Sequence, residues 1–211
     1  DNRIFELYMM DDDPLEDAEE RELANMIDSA LKDYDLVIVV DYGHGMLTKS
    51  TINLLCQSSS FLVVSTQANA GNRGFNTISK YSRADYVCMN MYEIALETRM
   101  RHADWHDLVL EVTKRIDCSD FTITRGDKGS IHYTAGSDFN EVPSMAARVK
   151  DRVGASDAVL AITSLLVVQG APWEIVGFSG NLAGAQVVAE LGNSVSVNKE
   201  SFMRNVNSLM K

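Results

Sequence analysis

Four short apolar runs, separated by stretches long enough for a helix, constrain this chain most. They are residues 35–40 (Asp-Leu-Val-Ile-Val-Val), 61–66 (Phe-Leu-Val-Val-Ser-Thr), 85–90 (Asp-Tyr-Val-Cys-Met-Asn) and 121–124 (Phe-Thr-Ile-Thr). The first of them, with no polar residue from Leu36 to Val40, suits a strand covered on both faces, and the other three read as strands beside it. Helices are expected near 48–58, from Met91 to Arg99, and near 104–117. Strands alternating with helices imply right-handed crossovers and a largely parallel α/β sheet. Ligands in such folds bind at the carboxyl ends of the strands. That rule places Asp41, the Gly/Asn-rich loop Gln67 to Asn76, Asn90, Arg125-Gly126 and the turn at 151–157 along one rim. Residues 125–129 (Arg-Gly-Asp-Lys-Gly) read as a tight turn into a strand at 130–133, paired as a hairpin. Three helices are expected near 155–169, 172–191 and 198–210, with Pro172 opening the second. At the other end, residues 1–10 alternate in the imperfect manner of an edge strand. Asp13 would then cap a helix running to about residue 32, with Pro14 first and Glu16 third. The acidic run before it reads as this cap and a solvated face rather than a metal site.

The bulk properties narrow the classes. With 211 residues the chain suits one domain, residues 1–211, and its 45% hydrophobic content is ordinary for a packed core. No run approaches the roughly 18 apolar residues of a membrane span. The net charge of −11 argues against a nucleic-acid or anionic-membrane surface, though not against a nucleotide. Cys56, Cys88 and Cys118 stand far apart with no CxxC pair, so a zinc site is not expected. Isolated cysteines of this kind read as reduced core thiols in a cytoplasmic protein. The first residues do not form a signal peptide and lack a starting Met, so the expectation is a chain that begins inside a longer protein.

The segment 151–157 (Asp-Arg-Val-Gly-Ala-Ser-Asp) carries the most chemistry. It runs straight into an apolar helix, Ala158 to Val168, and sets Asp157 in that helix's first turn. A first turn offers unpaired N–H groups and the positive end of the helix dipole. Gly154 and Ala155 leave room for an anion there. A carboxylate beside an anion site suits a base that takes a proton from a hydroxyl attacking a phosphoryl group. Asp157 can equally be read as a capping acid and Gly154 as a simple turn.

Other signals are weaker alone. Asn90 and Glu93, three apart at a strand-to-helix junction, offer oxygens of the kind that hold water and Mg²⁺ near phosphates, or form a capping box. Thr124-Arg-Gly-Asp-Lys-Gly129 either lets the backbone approach a nucleotide or makes a hairpin. His44, between two glycines, is an isolated histidine. Ser156 lacks the GxSxG surroundings of a nucleophile. Neither a Walker A sequence nor GxGxxG occurs, which argues against a Rossmann-type oxidoreductase.

In order, the chain shows Asp-Tyr-Gly-His-Gly after a strand, Asn-x-x-Glu, Thr-x-Gly-x-x-Gly, and Gly-Ala-x-Asp entering an apolar helix. In that order the motifs resemble the ribokinase-like (PfkB) carbohydrate kinases, and within them the heptose-phosphate kinase branch, which is often fused to or associated with a nucleotidyltransferase. The likeness runs from about residue 4 to the C-terminus and includes Phe178 to Gly192.

The resemblance implies a ribokinase-like fold and transfer of phosphate from ATP, with Mg²⁺, to a sugar or sugar-phosphate hydroxyl. Asp157 would be the base. Gly154, Ala155 and Ser156 would supply the anion hole. Asn90 and Glu93 would organise Mg²⁺, while Thr124, Gly126, Gly129 and Asn181 would line the nucleotide site. Asp41 would lie at the sugar end. The family usually has Gly at the position of Ser156 and Thr at that of Val153, and the heptose branch has Asp-Pro-Lys where Ser65-Thr66-Gln67 stand. About a hundred N-terminal residues of such kinases have no counterpart here. The chain is therefore expected to be the C-terminal, nucleotide-binding part of a longer kinase, turning over weakly or not at all by itself. Homodimers occur in the family. The rival reading is a nucleotide-binding or interaction module that keeps the fold without the chemistry.

Overall fold

The structure, a computed structural model, describes residues 7, 9, 12–69, 71–192, 194 and 196–210. The edge strand expected within residues 1–10 falls almost wholly outside that set. Six strands form one sheet in the order β1-β2-β3-β4-β5-β6. They are β1 (Val37–Asp41), β2 (Leu62–Thr66), β3 (Tyr86–Asn90), β4 (Asp120–Thr124), β5 (Ser130–Thr134) and β6 (Asn140–Val142). The first four run parallel, and β5 and β6 add antiparallel. The four expected strands and the hairpin are therefore present, but β6 has no counterpart among the expected elements. Its three residues, Asn-Glu-Val, are too short and polar to give a periodic signal.

Seven helices complete the described chain: α1 (Asp17–Leu31), α2 (Lys49–Ser58), α3 (Met91–Thr98), α4 (Trp105–Val112), α5 (Ala155–Val167), α6 (Trp173–Val188) and α7 (Lys199–Leu209). Helix α1 starts later than expected. Glu16, not Asp13, is the N-cap, because Glu16 and Glu19 form a reciprocal capping box, with Glu16 N–H donating to Glu19 Oε2 at 3.1 Å. Asp13 instead lies under the turn after β1, where its carbonyl leaves no room for a side chain on Gly45. Pro172 likewise sits at the N-cap of α6 rather than at its first helical position.

The unbroken apolar character of β2 and β3 is explained by two cores. Side chains alternate across a strand. Leu62, Val64, Val87 and Met89 join the core that includes Ile52 and Leu55 of α2, Ile94 of α3, and Leu108, Val109 and Val112 of α4. Val63, Tyr86 and Cys88 point the other way, onto Val159 and Leu160 of α5. On that second face the Tyr86 hydroxyl donates to Thr163 Oγ1 at 2.8 Å. All three cysteines are free and buried. Small residues let α5 and α6 approach closely: a Cβ on Gly180 would stand 2.7 Å from Thr163 Cγ2.

The connection between β1 and β3 is anchored by one arginine. Arg83 donates to the Cys56 and Ser59 carbonyls at 2.6 and 2.7 Å and to Asp85 Oδ2 at 2.6 Å. Asp85 Oδ2 in turn accepts from Leu62 N–H at 2.6 Å, so the pair ties the end of α2 to the start of β2.

Candidate functional site

Register brings the strand ends together. Asp41 pairs with Thr66, and Asn90 with Thr124, so the carboxyl ends of β1 to β4 form one rim. Helix α5 begins at that rim. Gly154 is its N-cap with φ 78° and ψ −5°, a left-handed conformation that glycine adopts without strain. The first intrahelical bond is Ala158 N–H to the Gly154 carbonyl at 3.0 Å. The preceding N–H groups therefore stand at the helix's positive end, with Ala155 N–H making only a long 3.4 Å bond to Arg152 O.

Asp157 lies in this first turn and is half-buried. Its Oδ1 accepts from Gln67 Nε2 at 2.8 Å, and its Oδ2 has a long 3.5 Å contact with the Tyr42 hydroxyl. Both partners come from loops after other strands, and nothing in the sequence shows that they meet Asp157. Burial and then the Asp157 charge raise the Tyr42 pKa, so this phenol stays protonated.

A groove of about 630 Å³ opens beside the start of α5. Asn90, Thr124, Gly126, Gly129, Ala155, Ser156 and Asn181 all line it, as do Trp105 and Arg125. Seven of the residues singled out from the sequence thus share one concavity. Gly126 (φ 63°) faces open space, whereas a Cβ on Gly129 (φ 83°) would collide with the Val142 carbonyl. Gly126 is thus the glycine that opens the groove, and Gly129 the one that lets the turn pack on β6. Asn181 is buried and donates from Nδ2 to the Val142 and Pro143 carbonyls, both at 3.0 Å. It therefore shapes the wall by holding the segment after β6. Trp105 stacks under the Arg125 guanidinium at 5.3 Å, and Arg125 also pairs with Glu141 at 2.6 Å. Trp105 is a lone aromatic in the sequence, so only its position in space marks it.

Asn90 and Glu93 do form a capping box. Asn90 Oδ1 accepts from Glu93 N–H, and Glu93 Oε2 from Asn90 N–H, each at 2.9 Å. Glu93 Oε1 also accepts from Ala68 N–H at 3.3 Å. Burial, reinforced by the Asp157 charge, raises the Glu93 pKa against these hydrogen bonds. Capping does not exhaust a carboxylate, because each oxygen retains a second lone pair. Among the described residues no group of three or more His, Cys, Asp or Glu side chains could hold a metal alone. The donor set therefore fits Mg²⁺ only in its usual nucleotide form, bound chiefly by phosphates and water with one or two carboxylates behind.

Asp41 lies apart from the groove, in a smaller hollow of about 170 Å³ shared with Asn76 and Lys80. It is 3% exposed and accepts from the Tyr81 hydroxyl at 2.6 Å, Lys80 Nζ at 2.5 Å and Gly43 N–H at 2.9 Å. His44 pairs with Asp12 at 2.8 Å on the same side.

Known proteins resemble this chain in sequence and in fold. A family model described as "pfkB family carbohydrate kinase" matches residues 48–200. The "Bifunctional protein HldE" of a Nitratiruptor species is 26% identical over 194 residues, 88% of this chain and 39% of that protein. The protein of the same name from Koribacter versatilis (strain Ellin345) is 30% identical over 164 residues, 76% of this chain and 33% of that one. The chain thus spans less than half the length of these relatives. Escherichia coli phosphofructokinase-2 in complex with potassium superposes with a TM-score of 0.74 at 13% identity, covering 94% of this chain and 64% of that one. Arabidopsis thaliana ribokinase complexed with ribose and ATP gives 0.67 at 16% identity, over 91% and 59%. At such identities the solved structures establish the ribokinase-like fold alone. The matched family model covers most of the chain, including the groove and the helix that carries Asp157, and the chain belongs to the pfkB family of carbohydrate kinases.

Proposed function

We propose that residues 1–211 act as one unit, the nucleotide-binding and phosphoryl-transfer part of an ATP-dependent carbohydrate kinase. The acceptor is the hydroxyl of a sugar or sugar phosphate. The observation that carries this reading is the position of Asp157: a carboxylate in the first turn of α5, beside a helix N-terminus and a groove wide enough for a nucleotide.

Asp157 takes the proton from the acceptor hydroxyl as its oxygen attacks the γ-phosphorus. The bond from that phosphorus to the β,γ-bridging oxygen breaks, and ADP leaves. The N–H groups of Gly154, Ala155 and Ser156 stabilise the charge on the transferred group. ATP lies in the groove along Thr124, Gly126, Gly129 and Asn181. Mg²⁺, when bound, neutralises phosphate charge; Asn90 and Glu93 hold its waters. Asp41 keeps the β1 end in shape at the acceptor side. General-base work of this kind contributes about 10²- to 10⁴-fold, and the rest of the rate comes from positioning.

A second activity accompanies this one, which the relatives' name as bifunctional proteins supports, and the resemblance to the heptose branch implies that it is a nucleotidyltransferase. A cytoplasmic setting and a homodimer agree with the same reading. The test is ATP consumption by the protein in its full natural length, with a panel of sugars and sugar phosphates. Consumption with at least one acceptor is expected. ATP binding with no consumption on any acceptor would instead mark a binding module that keeps the fold without the chemistry.

A further inference from the structure

The loop from Gln67 to Asn76 has no regular structure at its start, yet its polar groups are densely paired. Gln67 N–H donates to the Asp41 carbonyl at 2.8 Å. The Gln67 carbonyl accepts from Asn72 Nδ2 at 3.2 Å and from Asn76 Nδ2 at 3.1 Å. The same two amides also donate to the Tyr42 and Asp41 carbonyls, at 2.5 and 2.7 Å. Asn69 closes the web, accepting from Gly71 and Asn72 N–H and donating to the Tyr42 carbonyl at 3.0 Å. Gly43 fits this web closely: a Cβ there would stand 2.6 Å from Asn72 Nδ2. Both backbone polar groups of Gln67 are thereby fixed to the end of β1 and to its own loop. A backbone clamped on both sides aims its side chain, and that side chain ends on Asp157 Oδ1 at 2.8 Å.

We propose that Gln67 is the positioning residue of the Asp157 base, occupying Oδ1 and reserving Oδ2 for the acceptor hydroxyl. This rests on the reading of Asp157 as the base. A free carboxylate rotates between equivalent oxygens, and one hydrogen bond to a fixed donor removes that freedom. Oδ2 then receives the proton as the acceptor oxygen bonds to the γ-phosphorus. The Tyr42 hydroxyl, 3.5 Å away, is the neighbour the acceptor displaces. Gln67 also suits the task chemically, since a neutral amide orients the carboxylate without pairing its charge.

Two measurements on the full-length protein decide the matter. In ¹⁵N-labelled protein, the Gln67 side-chain amide should give a downfield proton signal that moves to the ordinary amide range in Asp157→Ala. In turnover assays Gln67→Ala should lower kcat about tenfold or more while KM for ATP stays within about twofold, since a hydrogen bond to a charged group is involved. Gln67→Glu, nearly isosteric but placing like charges together, should lower kcat further still. Gln67→Ala should add no loss in an Asp157→Ala background, because the two residues act as one unit. An ordinary Gln67 amide signal in the wild type, a near-normal Gln67→Glu, or an additive loss in the double variant would each overturn the role of Gln67 and leave the base reading intact. Unimpaired turnover by Asp157→Ala would overturn the base reading instead, whatever the amide signal shows.

Discussion

At the residue scale, polar side chains are used in two different ways. Gln67 and Asp157 meet at the rim, where a ligand can compete for them. His132 is the opposite case. It is wholly buried in β5, with Thr122 Oγ1 at 2.8 Å from Nδ1 and Ser130 Oγ at 2.8 Å from Nε2, and Trp173 stacked at 5.5 Å. Burial lowers its pKa to about 4 from an ordinary 6.5. The sign of the effect follows from proton counts: between pH 6.5 and 4 the unfolded chain binds a proton that the folded chain refuses. Stability contributed by the neutral ring is therefore complete above pH 6.5 and lost as pH falls towards 4, a loss on the order of 3 kcal/mol. Urea unfolding at stepped pH should show this slope. His132→Leu should be less stable at about pH 7, because two buried hydroxyls lose their partner, yet show a shallower fall over the same range. An unchanged slope would mean that His132 does not titrate in this way. Nothing in the sequence marks this histidine as important, since Ser-Ile-His-Tyr reads simply as a strand.

At the element scale, the β4–β5 turn is where the fold and the site share residues. Its two glycines look alike in the sequence, three apart in Thr124-x-Gly-x-x-Gly, and both have positive φ. Space separates them. Gly126 faces the groove, with nothing within 4 Å of an added Cβ, so Gly126→Ala should cost about 1 kcal/mol of left-handed strain and mainly weaken ATP binding. Gly129 has ψ −135° as well as the Val142 carbonyl in the way, so Gly129→Ala should cost about 2 kcal/mol or more in stability. Thermal melts beside ATP titrations of the two variants check the contrast; equal effects would refute it. A similar collision guards α6, where a Cβ on Gly177 would stand 2.6 Å from His132 Nε2. Gly177→Ala should therefore destabilise by about 1–3 kcal/mol, although alanine is the better helix former by about 1 kcal/mol. Strands and helices are legible in the sequence because burial on both sheet faces leaves unbroken apolar runs such as Leu-Val-Val in β2. Helix starts are less so. In the acidic run before α1, several residues compete for one cap, and only the reciprocal bond between Glu16 and Glu19 selects one.

At the scale of the whole molecule, the order of motifs along the chain becomes an order around one rim. Asn90, Thr124, Gly126, Gly129, Ala155, Ser156 and Asn181 are legible as motifs, and they converge on a single groove. Tyr42 lies within a motif, Gln67 stands at a departure from the heptose branch and Trp105 is a lone aromatic, yet nothing in the sequence tells which carboxylate or cation each will meet. Asp41 is drawn to the rim by the strand-end rule, and there it is taken up by Tyr81, Lys80 and Gly43. None of the described helices is long and apolar enough to cross a membrane. The reading of the whole depends on one carboxylate taking one proton. The most direct test is kcat and ATP affinity for Asp157→Asn in the full-length protein, with an acceptor that the wild type phosphorylates. The account predicts a fall in kcat of about 10²-fold or more with the ATP Kd nearly unchanged. Turnover within a few-fold of wild type would contradict it.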